Sequence, residues 1–109
     1  MYSPNGALGA LALGRKGRSR RESSYDRSGK NADFISIKKS RTAVLADIRG
    51  AGCIRHIWIT VDCPDDLYLR RLLLRIFWDN EKTPSVLAPL GDFFGVGHAR
   101  ASHFISLPL

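Results

Sequence analysis

Hydrophobic and polar residues alternate most regularly between Leu69 and Trp78. Read two residues at a time, this segment places one largely apolar set on a face to be buried and a mixed set on the other. The first set is Arg70, Leu72, Leu74, Ile76 and Trp78; the second is Leu69, Arg71, Leu73, Arg75 and Phe77. The pattern predicts a strand, although LRRLLLR taken alone also suits a turn of amphipathic helix.

A second strand follows through a polar turn. Asp79 to Lys82 is the turn and Pro84 to Leu90 is the next apolar run, so the simplest interpretation is strand, turn, strand. The segment Gly91 to Gly97 then places three glycines around two adjacent aromatics and a carboxylate. Glycine there permits backbone geometry that bulkier residues resist.

Alternation elsewhere predicts more strands. Ile35 to Ile48 reads as two short strands around a turn at Lys38 to Arg41, Cys53 to Val61 as one strand, and Phe104 to Leu109 as the beginning of another. Ala7 to Leu13 could form a short N-terminal helix. The predicted fold class is all-β and about half of a β-sandwich.

Composition narrows the class of protein. At 109 residues, with 44% hydrophobic and 25% charged, the chain suits one domain, or part of one, with a modest core, and not a disordered segment. The net charge of +7 favours acidic partners in general without naming one. A basic cluster could contact phosphates, but no aromatic is interleaved, so a solvated surface run is preferred and nucleic acid is not expected. Its residues are Arg15, Lys16, Arg18, Arg20 and Arg21.

The cysteines, histidines and apolar runs predict neither a disulfide, nor a metal site, nor a membrane span. Cys53 and Cys63 lie near opposite ends of one predicted strand, too far apart for a disulfide, so two thiols are expected. No zinc-ligand spacing occurs, and neither a metal nor a cofactor is expected. No apolar run is long enough for a membrane span, and the N-terminus lacks the charge order of a secretory signal. Localisation stays open, with the cytoplasm preferred.

The polar segment 21–34, RESSYDRSGKNADF, lacks a hydrophobic period and is therefore predicted to be a loop. Asp26, Asn31 and Asp33 offer carboxylates and an amide that can hydrogen-bond several sugar hydroxyls. From composition alone, turn formation by the same side chains is the preferred explanation. In the strand 53–61, His56 and Trp58 share a face that could line a carbohydrate pocket, or could be core packing.

Three segments carry a resemblance to a known family. RRESSYDRSGKNADF, GAGCIRHIWITV and LRRLLLRIFWDNEKTPSVLAPLGDFFGVGH occur in the order and spacing of the bacterial family once called domain of unknown function 2961, now glycoside hydrolase family 172. The resemblance covers about residues 20–109. Two departures are Lys30, where the family usually has glycine, and Phe34, where it usually has tryptophan.

The resemblance implies a fold and a role. It implies a jelly-roll-like β-sandwich, a homo-oligomer in the full-length family, and a furanoside substrate of the fructofuranose or arabinofuranose type. The family's segment that matches residues 21–34 lies at or near the active-site pocket, which makes Asp26, Asn31 and Asp33 candidate substrate-binding residues. His56 and Trp58, on one face of the predicted strand 53–61, complete the candidate set. The family's two catalytic glutamates lie in a part that follows this segment, so no catalytic residue is assigned here.

Two functions remain open from the sequence. In the first, residues 1–19 form a helix and basic segment, residues 20–109 form the incomplete N-terminal part of a glycosidase domain, and the chain alone is inactive. The apolar ending SLPL favours this interpretation. In the second, the chain is a non-enzymatic β-sandwich binding or assembly module with a basic surface, whose affinity falls steeply with salt.

Overall fold

The computed structural model describes residues 13–14 and 16–107. The chain divides into two compact units, Met1–Cys53 and Ile54–Leu109. The N-terminal helix predicted over Ala7 to Leu13 lies outside the described residues apart from Leu13. The predicted division of the chain at residue 19 stays a prediction.

The second unit is organised by an antiparallel hairpin of β1 (Leu73–Ile76) and β2 (Val86–Pro89). Leu73 lies opposite Pro89, and Ile76 lies opposite Val86. The strand, turn, strand prediction is therefore confirmed, as is the two-faced pattern: Leu74 and Ile76 are half-buried while Leu73 and Arg75 are exposed. This alternation is what a strand with one covered face requires.

The loop of residues 77–85 that joins β1 to β2 contains a tight turn at Asp79 and Asn80. Both residues have a positive φ, 48° and 61°, and the N–H of Glu81 donates to the carbonyl of Trp78 at 2.9 Å. Two left-handed central residues define a type I′ turn, whose twist matches that of the flanking chain. Asp and Asn tolerate this backbone region better than most residues, which explains why the polar pair occupies it.

Two helices of four residues each flank the hairpin: α1 (Tyr68–Arg71) before β1 and α2 (Leu90–Phe93) after β2. The N–H of Leu90 donates to the carbonyl of Leu72 at 2.8 Å, which continues the strand pairing to the start of α2. Arg70 on α1 and Asp92 on α2 form a salt bridge. Leu90 and Gly91 are the buried residues of α2, so the packed part of this unit lies between the two helices.

Several predictions from the sequence are wrong. The strand predicted over Leu69–Trp78 is helical at its start, as the alternative for LRRLLLR allowed. Over residues 35–48 and 53–61, and in the described part of 104–109, the structure assigns no strand. The all-β class and the jelly-roll sandwich are not found: the described residues contain two strands and two short helices. Alternation of apolar and polar residues indicates which side chains lie on the same face. A strand in a sheet also needs a second strand to pair with its backbone N–H and C=O groups.

The alternation predicted for the segment before α1 is nevertheless visible in its burial. Ile57, Ile59 and Val61 are half-buried, whereas His56 and Trp58 between and beside them are exposed. The segment therefore has a covered apolar side and an open side. The two faces of this segment were predicted correctly, but the segment does not pair with another strand among the described residues as a sheet would require.

Candidate functional site: the 24–34 loop

The carboxylate of Asp26 organises the polar loop of the first unit. Its Oδ1 accepts the N–H and the hydroxyl of Ser28, at 2.8 and 2.6 Å. Its Oδ2 accepts the N–H groups of Lys30 and Ala32, at 3.1 and 3.2 Å. One side chain thus holds three successive parts of the loop, which is the Asx-turn arrangement extended over six residues.

Asp33 closes the loop against its beginning. Its Oδ1 accepts the N–H of Asp26 at 2.6 Å, and its carbonyl accepts the hydroxyl of Ser24 at 2.9 Å. The backbone of Asp26 and the carboxylate of Asp33 are therefore in direct contact, and their role as substrate-binding residues stays a prediction. Asp33 engages one carboxylate oxygen in this contact, whereas Asp26 uses both of its own.

Asn31 lies at the tip of the same loop with an exposed side chain and a φ of 62°. Gly29 before it has a φ of 75°, and its N–H donates to the carbonyl of Asp26 at 3.0 Å. Asn is among the few residues that adopt the left-handed region readily. Asn31 therefore forms part of the turn through its backbone. Its side-chain amide is exposed to solvent.

Hydrogen bonding controls the charge of this loop. The hydroxyl of Ser28, followed by the backbone N–H groups of Ser28, Ala32 and Lys30, holds the pKa of Asp26 below its usual range. Donors aimed at a carboxylate favour its ionised form. Asp26 therefore carries a negative charge throughout the neutral range, where it holds the loop together.

The loop also presents an aromatic and a guanidinium. The Arg27 guanidinium lies over the ring of Tyr25, 5.8 Å from the ring centroid, and Tyr25 is exposed. This distance is within the range of a cation–π contact. Sequence reasoning assigned no role to Tyr25, and the Tyr–x–Arg spacing beside Asp26 is the signal that could have identified the pair.

The other two candidate residues belong to the second unit. His56 and Trp58 lie on the open side of the segment before α1, and Trp58 is 74% exposed. Core packing, the alternative for Trp58, is therefore not what this unit shows. A large exposed indole is available for contact with a sugar face or with another protein.

The chain has two glutamates, and they differ in environment. Glu22 is exposed at the edge of the basic cluster. Glu81 closes the hairpin loop: its Oε1 accepts the N–H groups of Trp78 and Ser85, and its Oε2 accepts the Ser85 hydroxyl at 2.7 Å. The Ser85 hydroxyl, followed by the N–H of Trp78, lowers the pKa of Glu81.

Other kinds of site find little support in the described part of the chain. Within it, no group of three or more His, Cys, Asp or Glu residues is arranged to hold a metal ion. Cys53 and Cys63 are both thiols, as expected. None of the helices described in the range 13–107 is long and apolar enough to cross a membrane.

Comparison with known proteins places the chain in a class. A family model described as GH172 domain-like matches residues 28–107, which is more than half of the sequence. The match defines a domain of a glycoside hydrolase family, a class of protein whose substrates are carbohydrates. The chain belongs to glycoside hydrolase family 172. No curated protein and no solved structure matches it.

Proposed function

We propose that this chain supplies substrate-binding and structural elements of a family 172 glycosidase that acts on furanosides of the fructofuranose or arabinofuranose type. In this proposal the two catalytic glutamates come from outside residues 1–109. The observation that carries the proposal is that the carboxylate of Glu81, in a chain that belongs to the family, accepts hydrogen bonds from the hairpin loop and therefore has a structural role.

Glycoside hydrolysis commonly needs one carboxyl group as acid and a second as nucleophile or base. A catalytic acid needs a raised pKa, whereas hydrogen bonds lower the pKa of Glu81. Glu81 is thus suited to hold the hairpin loop and unsuited to donate a proton at neutral pH. The other glutamate of the sequence, Glu22, is exposed beside the basic cluster.

The 24–34 loop supports the binding role. Asp33 and Asn31 are the proposed sugar contacts, through a carboxylate oxygen and an amide that accept and donate to hydroxyl groups. In this proposal Asp26 does not contact the sugar directly. Because both of its oxygens hold the loop backbone, it positions Asn31 and Asp33.

The open side of the segment before α1 supports a second contact with sugar. Trp58 could stack its exposed ring on a sugar face, and His56 on the same side could hydrogen-bond a hydroxyl. We propose both as substrate contacts in the assembled enzyme. A homo-oligomer, in which neighbouring protomers cover exposed apolar residues, is part of the same proposal.

A binding assay tests the proposal on the chain itself. We expect weak binding of methyl arabinofuranoside or methyl fructofuranoside by NMR titration, with weaker binding of methyl glucopyranoside. Asp33→Asn should reduce the furanoside affinity several-fold, because the amide replaces an oxygen acceptor by a donor. Asp47→Asn, which alters an exposed aspartate outside the loop, is the matched control.

A complementation assay tests the missing glutamates. The chain alone should not hydrolyse nitrophenyl furanosides, and activity should return when it is joined to the remaining part of a family member that carries the glutamate pair. Hydrolysis by the chain alone that is lost in Glu81→Gln would overturn the proposal. Binding that ignores furanosides but falls steeply with salt would instead favour the polyanion-binding module.

A further inference from the structure

A solvent-open cavity of about 560 Å³, lined mostly by exposed residues, lies beside the segment that follows α2. Its walls include Gly95, Gly97, His98, Arg100, Ser102 and Phe104. The sequence pattern predicts only a polar connector over residues 98–103 of this segment. Its volume is within the range of about 300 to 1,000 Å³ that is usual for small-ligand sites.

The cavity exists because the chain reverses sharply at its edge. His98 and Ala99 both adopt a positive φ, 58° and 54°, and the N–H of Arg100 donates to the carbonyl of Gly97 at 3.4 Å. This turn brings the residues after it back beside Gly95 and Gly97. Left-handed backbone at a residue such as Ala99 is uncommon, and such positions are concentrated at ligand sites.

The polar wall of the cavity is cationic. Arg100, His98 and Ser102 line it, and no acidic residue is among its lining residues. The salt bridges of the described residues are made by other arginines, Arg70 and Arg71, so the charge of Arg100 is not neutralised by a carboxylate of that part of the chain. A guanidinium fork with a hydroxyl and an imidazole beside it is well suited to an anion with several acceptor oxygens.

The remaining wall is apolar. Phe104 lines the cavity and is 41% exposed, so its ring is accessible from the cavity side. Pockets for small ligands combine such aromatic surface with a few polar groups that fix orientation. A lining that holds both an aromatic ring and a guanidinium suits a ligand with a carbon skeleton at one end and a phosphate at the other.

We propose that this cavity binds a phosphorylated sugar. Arg100, Ser102 and His98 contact the phosphate, whose three terminal oxygens can accept from all of them, and Phe104 covers the sugar ring. The choice of a sugar rests on the membership of the chain in a glycoside hydrolase family. The site itself uses residues 95–104 and none of the 24–34 loop.

The first test compares three probes on the unmodified chain by calorimetric titration: fructose 6-phosphate, fructose and inorganic phosphate. Fructose 6-phosphate should bind at least about tenfold more tightly than fructose, as a charge-assisted contact predicts, and more tightly than inorganic phosphate because Phe104 adds to it. Equal binding of fructose 6-phosphate and fructose would overturn the proposal. So would equal binding of fructose 6-phosphate and inorganic phosphate, which would indicate a bare anion contact.

The second test uses variants of exposed residues, for which loss of folding is not expected. Arg100→Gln should weaken fructose 6-phosphate binding about tenfold or more, and the control Arg55→Gln, an exposed arginine of the same unit, should leave it unchanged. Phe104→Leu should reduce the preference for fructose 6-phosphate over inorganic phosphate. Equal losses in Arg100→Gln and Arg55→Gln would overturn the site.

The furanoside site at the 24–34 loop and the sugar-phosphate site at residues 95–104 are tested separately. Asp33→Asn, which lowers furanoside affinity if the loop binds substrate, should leave fructose 6-phosphate binding intact. A chain that binds neutral furanosides but no sugar phosphate would retain the proposed function and lose this site. The reverse result would retain the site and lose the proposed function.

Discussion

At the scale of single residues, Asp26 shows how one carboxylate can fold a loop without a regular element. Its two oxygens accept the donors of Ser28, Lys30 and Ala32. The loop lies in a chain segment with few covered apolar side chains, so hydrogen bonding to this carboxylate is the main local constraint. Changes at Asp26 should therefore affect loop order before they affect anything else.

We expect Asp26→Ala to release the amides of Ser28, Lys30 and Ala32, because each loses its acceptor. Amide hydrogen exchange, followed residue by residue, should accelerate at these three positions. Ser23→Ala is the control, since that exposed serine makes none of the contacts to Asp26. Unchanged exchange in Asp26→Ala would contradict the organising role of this carboxylate.

The same loop should depend on pH in a defined direction. Hydrogen bonds lower the pKa of Asp26 in the folded loop, so the ionised form is favoured by folding. The stabilisation is complete above the pKa of an unperturbed aspartate, about 4, and is lost as the pH falls through the lowered pKa. Amide exchange rates corrected for intrinsic chemistry should report this loss below about pH 4. Protection that persists unchanged to lower pH would contradict it.

Gly91 illustrates a different constraint at the residue scale, one of space. A Cβ at this position would lie 2.7 Å from the carbonyl oxygen of Val96 and 2.9 Å from the Cβ of Leu69. Neither neighbour is the flexible end of a side chain, so α1 and α2 would have to separate. The Gly-Asp-Phe-Phe-Gly segment therefore requires glycine at its first position for close packing.

Gly91→Ala should lower the free energy of unfolding by about 1 to 3 kcal/mol, the usual cost of overpacking. Gly97→Ala is the matched control, because a Cβ there meets nothing within 4 Å and its φ is not positive. Urea denaturation of the two variants measures the difference. Similar midpoints for Gly91→Ala and Gly97→Ala would refute the close approach.

At the scale of elements, the hairpin was the most predictable part of the chain. Its alternation, its Asp-Asn turn and its second apolar run are all local signals, and they correspond to β1, β2 and the type I′ turn. The helical start at Tyr68–Arg71 was missed as the main prediction because four residues are too few to show a helical period. Arg70 and Arg71 serve instead as partners of Asp92 and Asp65.

The predicted strands at 35–48 and 53–61 failed for a non-local reason. Ile57, Ile59 and Val61 do share a covered side, so the sequence indicated the faces correctly. Pairing, however, depends on a second segment at the right distance, which no single alternating run can specify. The same limit applies to the site: residues 21–34 were recognisable as a polar loop, but the contact between Asp26 and Asp33 was not.

The hairpin loop depends on Glu81, which gives a prediction at the element scale. Glu81→Ala removes the acceptor of Trp78 N–H, Ser85 N–H and the Ser85 hydroxyl, so exchange at the amides of Trp78 and Ser85 should accelerate. Lys82→Ala, at the exposed neighbouring position, should not change it. Under the proposed function, Glu81→Ala should lower hydrolysis by the chain joined to a family member's glutamate pair only as far as it lowers the folded fraction. A selective loss of kcat in Glu81→Gln with an intact hairpin would identify Glu81 as catalytic.

At the scale of the whole molecule, apolar side chains are poorly covered. Leu90 is the buried hydrophobic residue of the described part, while many larger side chains remain open to solvent. Outer hairpin residues are a clear case: Leu73 is 61% exposed, Leu87 is 59% exposed and Phe77 is 46% exposed. These exposed apolar side chains, with Arg75 between them, lie on one face of a short two-stranded sheet, and such a surface favours association.

We expect the isolated chain to associate at micromolar concentration through this face. Leu73→Thr with Leu87→Thr should shift sedimentation-velocity profiles toward the monomer, because Thr removes apolar surface while keeping strand preference. The hairpin itself should survive, since Leu74 and Ile76 on the covered face are unchanged. Leu45→Thr, at an exposed leucine of the first unit, tests whether removing any apolar side chain has the same effect.

Two results would decide how the chain meets its partners. If the double variant is monomeric and Leu45→Thr still associates, the outer hairpin face is the surface through which copies of the chain associate. If the unmodified chain is monomeric at tens of micromolar, the exposed leucines do not drive association. The proposal that neighbouring protomers cover these residues would then lose its physical basis, while the binding role of the 24–34 loop would stand on its own titration.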